Sequence, residues 1–136
     1  MKASRQRRPT TLAQVAEATG DYEDFGGHLK DFLHELAASR RRGEPLRPHV
    51  RKEPPRLTAR FPEGAVCDAF VAATADYLCR VAEVPPPRWA VAQDRALEMP
   101  WFAESYLGLR AVLLRDTPSA FKDKNIFILP SALEVA

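Results

Sequence analysis

The sequence has only two cysteines and no long apolar run, and each shortage excludes a class of protein. Two cysteines among 136 residues are too few for a disulfide-rich secreted scaffold. No apolar stretch approaches the roughly 18 residues that a membrane-spanning helix needs. The basic start, Met1 to Pro9, is not followed by an apolar segment, so no secretory signal is predicted. We therefore expect a cytoplasmic protein without a membrane partner.

The two cysteines, Cys67 and Cys79, fall in one predicted helix. A helix rises about 1.5 Å per residue, which separates the two sulfur atoms by roughly 18 Å. That distance excludes a disulfide between them within the helix. Both are expected to be small buried apolar residues in a reducing compartment.

The sequence also lacks the motifs of common catalytic and cofactor sites. It contains no P-loop, dinucleotide-binding fingerprint, nucleophile elbow or HExxH motif. The three histidines, His28, His34 and His49, have no neighbouring cysteine or histidine cluster that would suit zinc. Cys67 lies on an apolar helix face without an adjacent base, which disfavours a nucleophilic role. The sequence therefore predicts no catalytic residue, no metal, no cofactor and no enzyme activity.

The residues that are present predict a mainly α-helical fold with four to five helices, a proline-rich basic linker and one short C-terminal extended segment. Thr11 and Asp21 are the expected N-caps of two helices that Gly20 separates. Apolar residues from Tyr22 to Leu36 recur at helical spacing. By composition the chain divides into a disordered basic tail (1–9), a helical hairpin (10–39), the basic linker (40–62) and a C-terminal helical core (63–136).

The C-terminal part is predicted to contain a central helix over Gly64–Glu83 and a second apolar helical stripe from Phe102 to Leu113. The second helix should end at Thr117, because the residue before a proline leaves the α region. The β-branched and aromatic run Ile126–Leu129 predicts a short strand. No second strand is evident, so this run is expected either to pair with another chain or to pack as extended coil.

Charge is distributed unevenly along the chain, although the net charge is only +2. Residues 17–35 contain six acids and one base, whereas residues 40–60 contain eight bases and two acids. This asymmetry indicates either a charged partner or simply solvated faces. Arginines bind carboxylates bidentately, which favours an acidic protein surface. Nucleic acid is the other option, but the basic segment has no interleaved aromatic residues to stack on bases.

Two groups of residues are the candidate partner-binding sites. One group supplies charge for an acidic partner surface, and the other supplies an apolar anchor from the C-terminal run. They are Arg40, Arg41, Arg42, Arg47 and Arg51, and Phe121, Ile126, Phe127 and Ile128.

Several short segments of the chain resemble a family of small bacterial proteins that are common in actinobacteria. They are Trp101-Phe102, Gly108-Leu109-Arg110-Ala111, Pro118, Ala120-Phe121 and Asn125-Ile126-Phe127-Ile128, with Thr11-Leu12, Val15-Ala16, Phe32-Leu33 and Pro86-Pro87-Arg88-Trp89 earlier in the chain. Genes of this family often lie beside nucleotidyltransferase-like toxins of the AbiEii kind. The resemblance implies an antitoxin that binds and neutralises such a toxin, whose metal-binding carboxylates would suit the linker arginines.

A helix-turn-helix DNA-binding regulator is the alternative function, using the first helix and the basic linker. The segment from Thr11 to Gly20 resembles the first helix and turn of repressors of the lactose-repressor type. The second predicted helix, however, begins with Asp21, Glu23 and Asp24, whose carboxylates would repel the phosphate backbone. It also offers no Arg, Asn or Gln for reading bases. We therefore expect DNA binding to be weak and non-specific at most.

Overall fold

The computed structural model describes residues 8–104 and 107–134. These residues form six α-helices and one two-stranded sheet, which confirms the predicted mainly α-helical class. The elements in chain order are α1 (Leu12–Ala18), α2 (Tyr22–Arg41), α3 (Arg47–Val50), α4 (Gly64–Ala82), β1 (Trp101–Phe102), α5 (Arg110–Asp116), α6 (Ser119–Lys122) and β2 (Ile126–Phe127). Most of the predicted disordered tail lies outside the described residues. No helix in the described ranges is long and apolar enough to cross a membrane.

Helices α1 and α2 begin at the caps that the sequence predicts. The Thr11 hydroxyl accepts from the backbone N–H of Gln14 at 3.1 Å, and the Gln14 side chain accepts from the N–H of Thr11 at 3.3 Å. Asp21 and Asp24 form the same reciprocal pair at the start of α2. Each capping box satisfies backbone donors that the helix itself leaves free.

One hydrophobic core joins α1, α2 and α4 to the segment predicted as a linker. Leu46, Val50 and Leu57 of that segment are buried in this core. Pro48 lies in the first turn of α3, where a missing N–H costs nothing. The predicted proline-rich linker is therefore not a free connection, because it contains a short helix and contributes to the core. Three isolated apolar side chains attach it, too few among its prolines and arginines to form a recognisable helical stripe.

Helix α4 packs so closely against the end of this segment that only glycine fits at its first position. A Cβ atom at Gly64 would lie 1.8 Å from the carbonyl oxygen of Leu57. One turn later, the buried Asp68 carboxylate accepts hydrogen bonds from the backbone N–H groups of Leu57 (2.8 Å) and Thr58 (3.1 Å). The Thr58 hydroxyl also donates to Asp68. These contacts fix the chain after α3 onto α4.

Arg95 is the largest fully buried side chain in the described part of the protein. Its Nη2 donates to the carbonyl oxygen of Pro54 at 2.6 Å and to the carboxylate of Glu53 at 3.1 Å. The guanidinium lies over the Trp89 ring, and Nη1 is 4.0 Å from Asp68 Oδ1. Two 3-10 turns, Arg88–Val91 and Gln93–Arg95, follow α4, and Arg95 connects them to the segment after α3.

Strand β2 pairs in parallel with β1, with Trp101 opposite Ile126 and Phe102 opposite Phe127. The expectation of a strand without a partner in this chain is therefore wrong. The partner strand is two residues long, too short to show the alternation by which strands are predicted. The helix predicted from Phe102 is also wrong at its start, because this residue is in β1 and α5 begins at Arg110. Tyr106, a member of that predicted stripe, lies outside the described residues.

The sheet, α6 and one face of α4 enclose a second, smaller core. Phe121, Ile126 and Ile128 are its largest fully buried members. Phe70 of α4 links the two cores through edge-to-face contacts with Phe25 at 5.8 Å and with Phe121 at 5.2 Å between ring centroids. Aromatic pairs of this geometry add to the stabilisation that comes from burial alone.

The cysteines are both free and both buried, as predicted. Burial, with smaller contributions from the charges of Asp68, Glu63 and Asp24, raises the pKa of the Cys67 thiol to about 12. Burial also raises the pKa of Cys79. Neither thiol has the low pKa of a nucleophile.

Candidate partner-binding surface

The arginines predicted to bind a partner are Arg40, Arg41, Arg42, Arg47 and Arg51, which we call the basic region. All five are exposed, on the last turn of α2, the following turn and α3. The opposite faces of these two helices are buried in the first core through Leu36, Leu46 and Val50. The basic region is therefore attached to the fold rather than carried by a free linker.

A polar network below the basic region connects α2 and α3 to the residues before α1. The Ser39 hydroxyl donates to the Glu44 carboxylate at 2.6 Å and lies 3.0 Å from Nε2 of His49. The Nδ1 of His49 donates to the carbonyl oxygen of Thr10 at 2.6 Å. The network thereby joins the end of α2, α3 and the residues before α1.

Two of the five arginines are used inside the chain. Arg42 donates twice to the Glu44 carboxylate, at 3.1 Å each, and Arg40 donates to the Glu44 carbonyl oxygen at 2.8 Å. Hydrogen bonds from Arg42 and then from Ser39 lower the pKa of Glu44 to about 2. This carboxylate is thus ionised, and it neutralises much of the charge of Arg42.

Arg41, Arg47 and Arg51 form no ion pair with any residue in the described ranges. Arg41 is the last residue of α2, and the other two flank the exposed side of α3. These three guanidinium groups are the part of the basic region that can bind external carboxylates bidentately.

A small crevice beside Arg47 and Arg51 adds apolar surface to the basic region. Val84, Pro85 and Pro87 line it, on the chain that leaves α4. Val84 is 38% exposed. Arginines around an apolar centre are typical of protein interfaces. The crevice has no signal in the sequence, because it forms only where the chain after α4 lies beside α3.

The four apolar candidates are mostly inaccessible. The side chains of Phe121, Ile126 and Ile128 are at most 1% exposed, because they fill the second core. Phe127 is half-buried, and its ring stacks on Phe102 with 4.9 Å between centroids. The strand that suggested an anchor is paired within the chain, so Phe127 is the one member of this group with surface left for a partner.

The start of α2 has the opposite charge to the basic region. Asp21, Glu23 and Asp24 are all exposed there. In a helix-turn-helix protein this end would approach DNA phosphates, which carboxylates repel. Arg41, at the other end of the helix, is 17 residues from Asp24, which is about 26 Å along the helix axis at 1.5 Å per residue. The geometry therefore gives no support to α2 as a recognition helix.

A polar cleft of about 430 Å³ lies on another side of α4. Arg80 bridges the carboxylates of Asp76 and Asp123, at 2.9 Å each. The buried Lys124 ammonium donates to the carbonyl oxygen of Ala92 at 3.2 Å. Two acids and two bases balance in this cleft, so it exerts no net attraction on a charged ligand.

Within the ranges that the structure describes, no group of three or more His, Cys, Asp or Glu side chains could hold a metal ion. No family model matches the chain, and no curated protein or solved structure matches it. The resemblance to antitoxin-like proteins therefore remains a prediction from the sequence.

Proposed function

We propose that the chain is a non-enzymatic interaction protein that binds an acidic surface of another protein. The observation that carries the proposal is the state of Arg41, Arg47 and Arg51. They are exposed, they have no ion-pair partner among the described residues, and they extend from helices whose other faces are buried. Three charges on a fixed backbone lose less conformational entropy on binding than charges on a mobile linker would.

The class of partner in this proposal comes from the sequence resemblance. A nucleotidyltransferase-like toxin has metal-binding carboxylates in its site, and guanidinium groups bind carboxylates in a planar, bidentate arrangement. We propose that the chain acts as the antitoxin that binds and neutralises such a toxin. The crevice at Val84 would supply the apolar contact that the buried Ile126 and Ile128 side chains cannot supply.

Co-expression with the product of the adjacent gene tests this function. We expect the two proteins to co-purify and the toxicity of the partner to be suppressed. The triple variant Arg41→Glu, Arg47→Glu and Arg51→Glu should slow association at least about tenfold and reduce its salt dependence, because such charges mainly steer encounter.

The control is a second triple variant with the same change of net charge, made at exposed bases away from the basic region. It consists of Lys30→Glu, Arg60→Glu and Arg115→Glu. It should neutralise the partner as the wild type does. Failure of the wild-type chain to bind the adjacent gene product would overturn the proposed function, and equal effects of the two triple variants would remove the basic region from it.

A DNA-binding measurement tests the alternative function, a transcriptional regulator. We expect weak binding to duplex DNA that is independent of sequence and is lost as salt rises, since phosphate contacts release counterions. Nanomolar binding to one operator at physiological salt, abolished by changes in residues 21–27, would instead favour a transcriptional regulator.

The proposal also states that the isolated chain catalyses no hydrolysis or group transfer. A turnover that disappears when His28, His34 or Cys67 is replaced would contradict it. Assays of the purified chain against nucleotides and phosphoesters test for such turnover, and they need no partner.

A further inference from the structure

An apolar groove of about 370 Å³ lies at the N-terminal end of α2, between α2, α4 and β1. Phe25, Phe70 and Trp101 are among its lining residues, together with Tyr22 and Glu23. We call it the α2–α4 groove. It is on the part of α2 farthest from the basic region, and its lining includes no lysine or arginine.

The aromatic lining is held by the cores rather than by the surface. Phe25 is 5% exposed and contacts Phe70 edge to face, and Phe70 contacts the fully buried Phe121 in the same way. Because these rings are fixed from below, the groove exists before anything binds. A preformed apolar site loses little free energy to reorganisation on binding.

Gly26 lines the groove on the α2 side. It lies within the helix without a positive φ angle, and a Cβ atom there would meet nothing within 4 Å. Glycine in a helix interior costs about 1 kcal/mol relative to alanine. Neither the backbone conformation nor the packing within the chain requires glycine here, and the space beside this position is open.

The surroundings of the groove are acidic. Glu23 lines it, and Asp21 and Asp24 are exposed in the same turn of α2. Burial raises the pKa of the Tyr22 phenol, and the charges of Cys67 and Glu63 raise it further. An occupant with Lys or Arg beside its apolar side chains therefore suits the groove better than a neutral or acidic one.

We propose that the α2–α4 groove binds a basic amphipathic helix of a partner protein. One of its apolar side chains would enter beside Gly26 and contact Phe70 and Trp101, and its lysines or arginines would face Glu23. This is the helix-in-groove mode of recognition, with anchors at helical spacing. The proposal goes beyond the proposed function, since it concerns the other end of α2 and a partner segment of the opposite charge.

Two neighbouring glycines offer a matched pair of variants for the test. Gly26→Leu places a side chain in the groove, whereas Gly27→Leu makes the same change at a position that does not line it. An added Cβ meets nothing within 4 Å at either position. Leucine is a better helix former than glycine, so both variants should fold and melt at or above the wild-type temperature.

The probe is a fluorescein-labelled synthetic helix of leucine and lysine with an amphipathic pattern, measured by anisotropy. We expect the wild type and Gly27→Leu to bind it equally, and Gly26→Leu to bind at least about tenfold more weakly, the loss of one apolar anchor. A leucine–glutamate helix of the same pattern should bind the wild type at least about tenfold more weakly than the leucine–lysine helix does, and it should bind neither variant better.

Several outcomes would overturn the proposal. They are absence of leucine–lysine binding to the wild type, equal binding by the two variants, and equal affinity for the basic and acidic helices. A wild-type dimer in analytical ultracentrifugation that Gly26→Leu alone dissociates would also overturn it, because the occupant would then be a second copy. No toxin is needed, so this test can fail while the proposed function stands.

Discussion

The two ends of α2 use their charges differently. At the N-terminal end, Asp21 and Asp24 bond backbone and side-chain groups at most four residues away. At the C-terminal end, Ser39 and His49 form a network that reaches Thr10, across 39 residues of sequence. The first arrangement caps a helix, whereas the second holds three segments of the chain together.

Both ends carry the sign of charge that the helix dipole favours, acids at the start and bases at the end. The sign alone therefore does not indicate a binding role at either end. A binding role is indicated instead by the groups that the contacts among the described residues leave unpaired. At the C-terminal end these are Arg41, Arg47 and Arg51, and at the N-terminal end they are Glu23 and the open space beside Gly26.

The largest effect should come from His49, beside the C-terminal end of α2, with His28 near the N-terminal end as the comparison. His49→Ala should lower the free energy of unfolding by about 2 kcal/mol, since it leaves the buried Ser39 hydroxyl and the Thr10 carbonyl with fewer partners. His28→Ala removes a contact of 3.6 Å with the exposed Asp24 and should cost under about 0.5 kcal/mol. Urea denaturation of both variants gives the comparison, and equal losses would contradict the distinction between the two ends.

A smaller effect is expected at the N-terminal cap. Asp21→Ala should destabilise the chain by about 1 kcal/mol, because the N–H of Asp24 loses its acceptor. Asp21→Asn keeps an acceptor and should stay within a few tenths of a kcal/mol of the wild type. Thermal melts followed by circular dichroism test this, and a neutral Asp21→Ala would show that the capping box contributes nothing.

Gly27→Ala should have the opposite sign. We expect it to raise the free energy of unfolding by about 0.5–1 kcal/mol, since the position is helical, exposed and free of contacts. Urea midpoints of the variant and the wild type measure the gain. A loss of stability would mean that the N-terminal part of α2 is not helical in solution.

Acid should weaken the C-terminal end through Glu44. Hydrogen bonds from Arg42 and Ser39 lower its pKa from the ordinary value of 4.5 to about 2, so its contribution is complete above pH 4.5 and is lost as the pH falls towards 2. Glu44→Gln should flatten the profile of stability against pH in this window, and an unchanged profile would contradict the assignment.

At the other end of α2, burial opposes the shift, but the N–H groups of Asp21 and Gly20 lower the pKa of Asp24. Asp24→Asn should therefore change the dependence of stability on acid pH with the same sign as Glu44→Gln, and urea midpoints measured across this pH range test both variants.

The sequence was sufficient for the elements with strong local signals. The caps at Thr11 and Asp21 and the apolar periodicity of α2 and α4 predicted these helices, because such signals act within one or two turns. It was insufficient wherever a distant contact decides the structure. The linker is attached by Leu46 and Leu57, two isolated apolar residues among prolines and arginines, and no pattern indicates that Arg95 is buried.

The candidate site was predictable only in part, for the same reason. The density of arginines was evident from the sequence, but which of them are neutralised depends on Glu44 folding back onto Arg42. The apolar anchor was predicted in Ile126 because β1 was not recognised. The α2–α4 groove needs Trp101 to lie beside Gly26, and residues so far apart in sequence give no local signal.

The two buried thiols make the chain its own reporter of local opening. Thiolates rather than thiols react with alkylating reagents, and Cys67 and Cys79 are both enclosed with raised pKa values. Each can be labelled only when its part of α4 separates from the core. Because Cys67 lies near the start of α4 and Cys79 near its end, the two labelling rates, resolved by peptide mass, would rank the order in which the two ends of this helix detach.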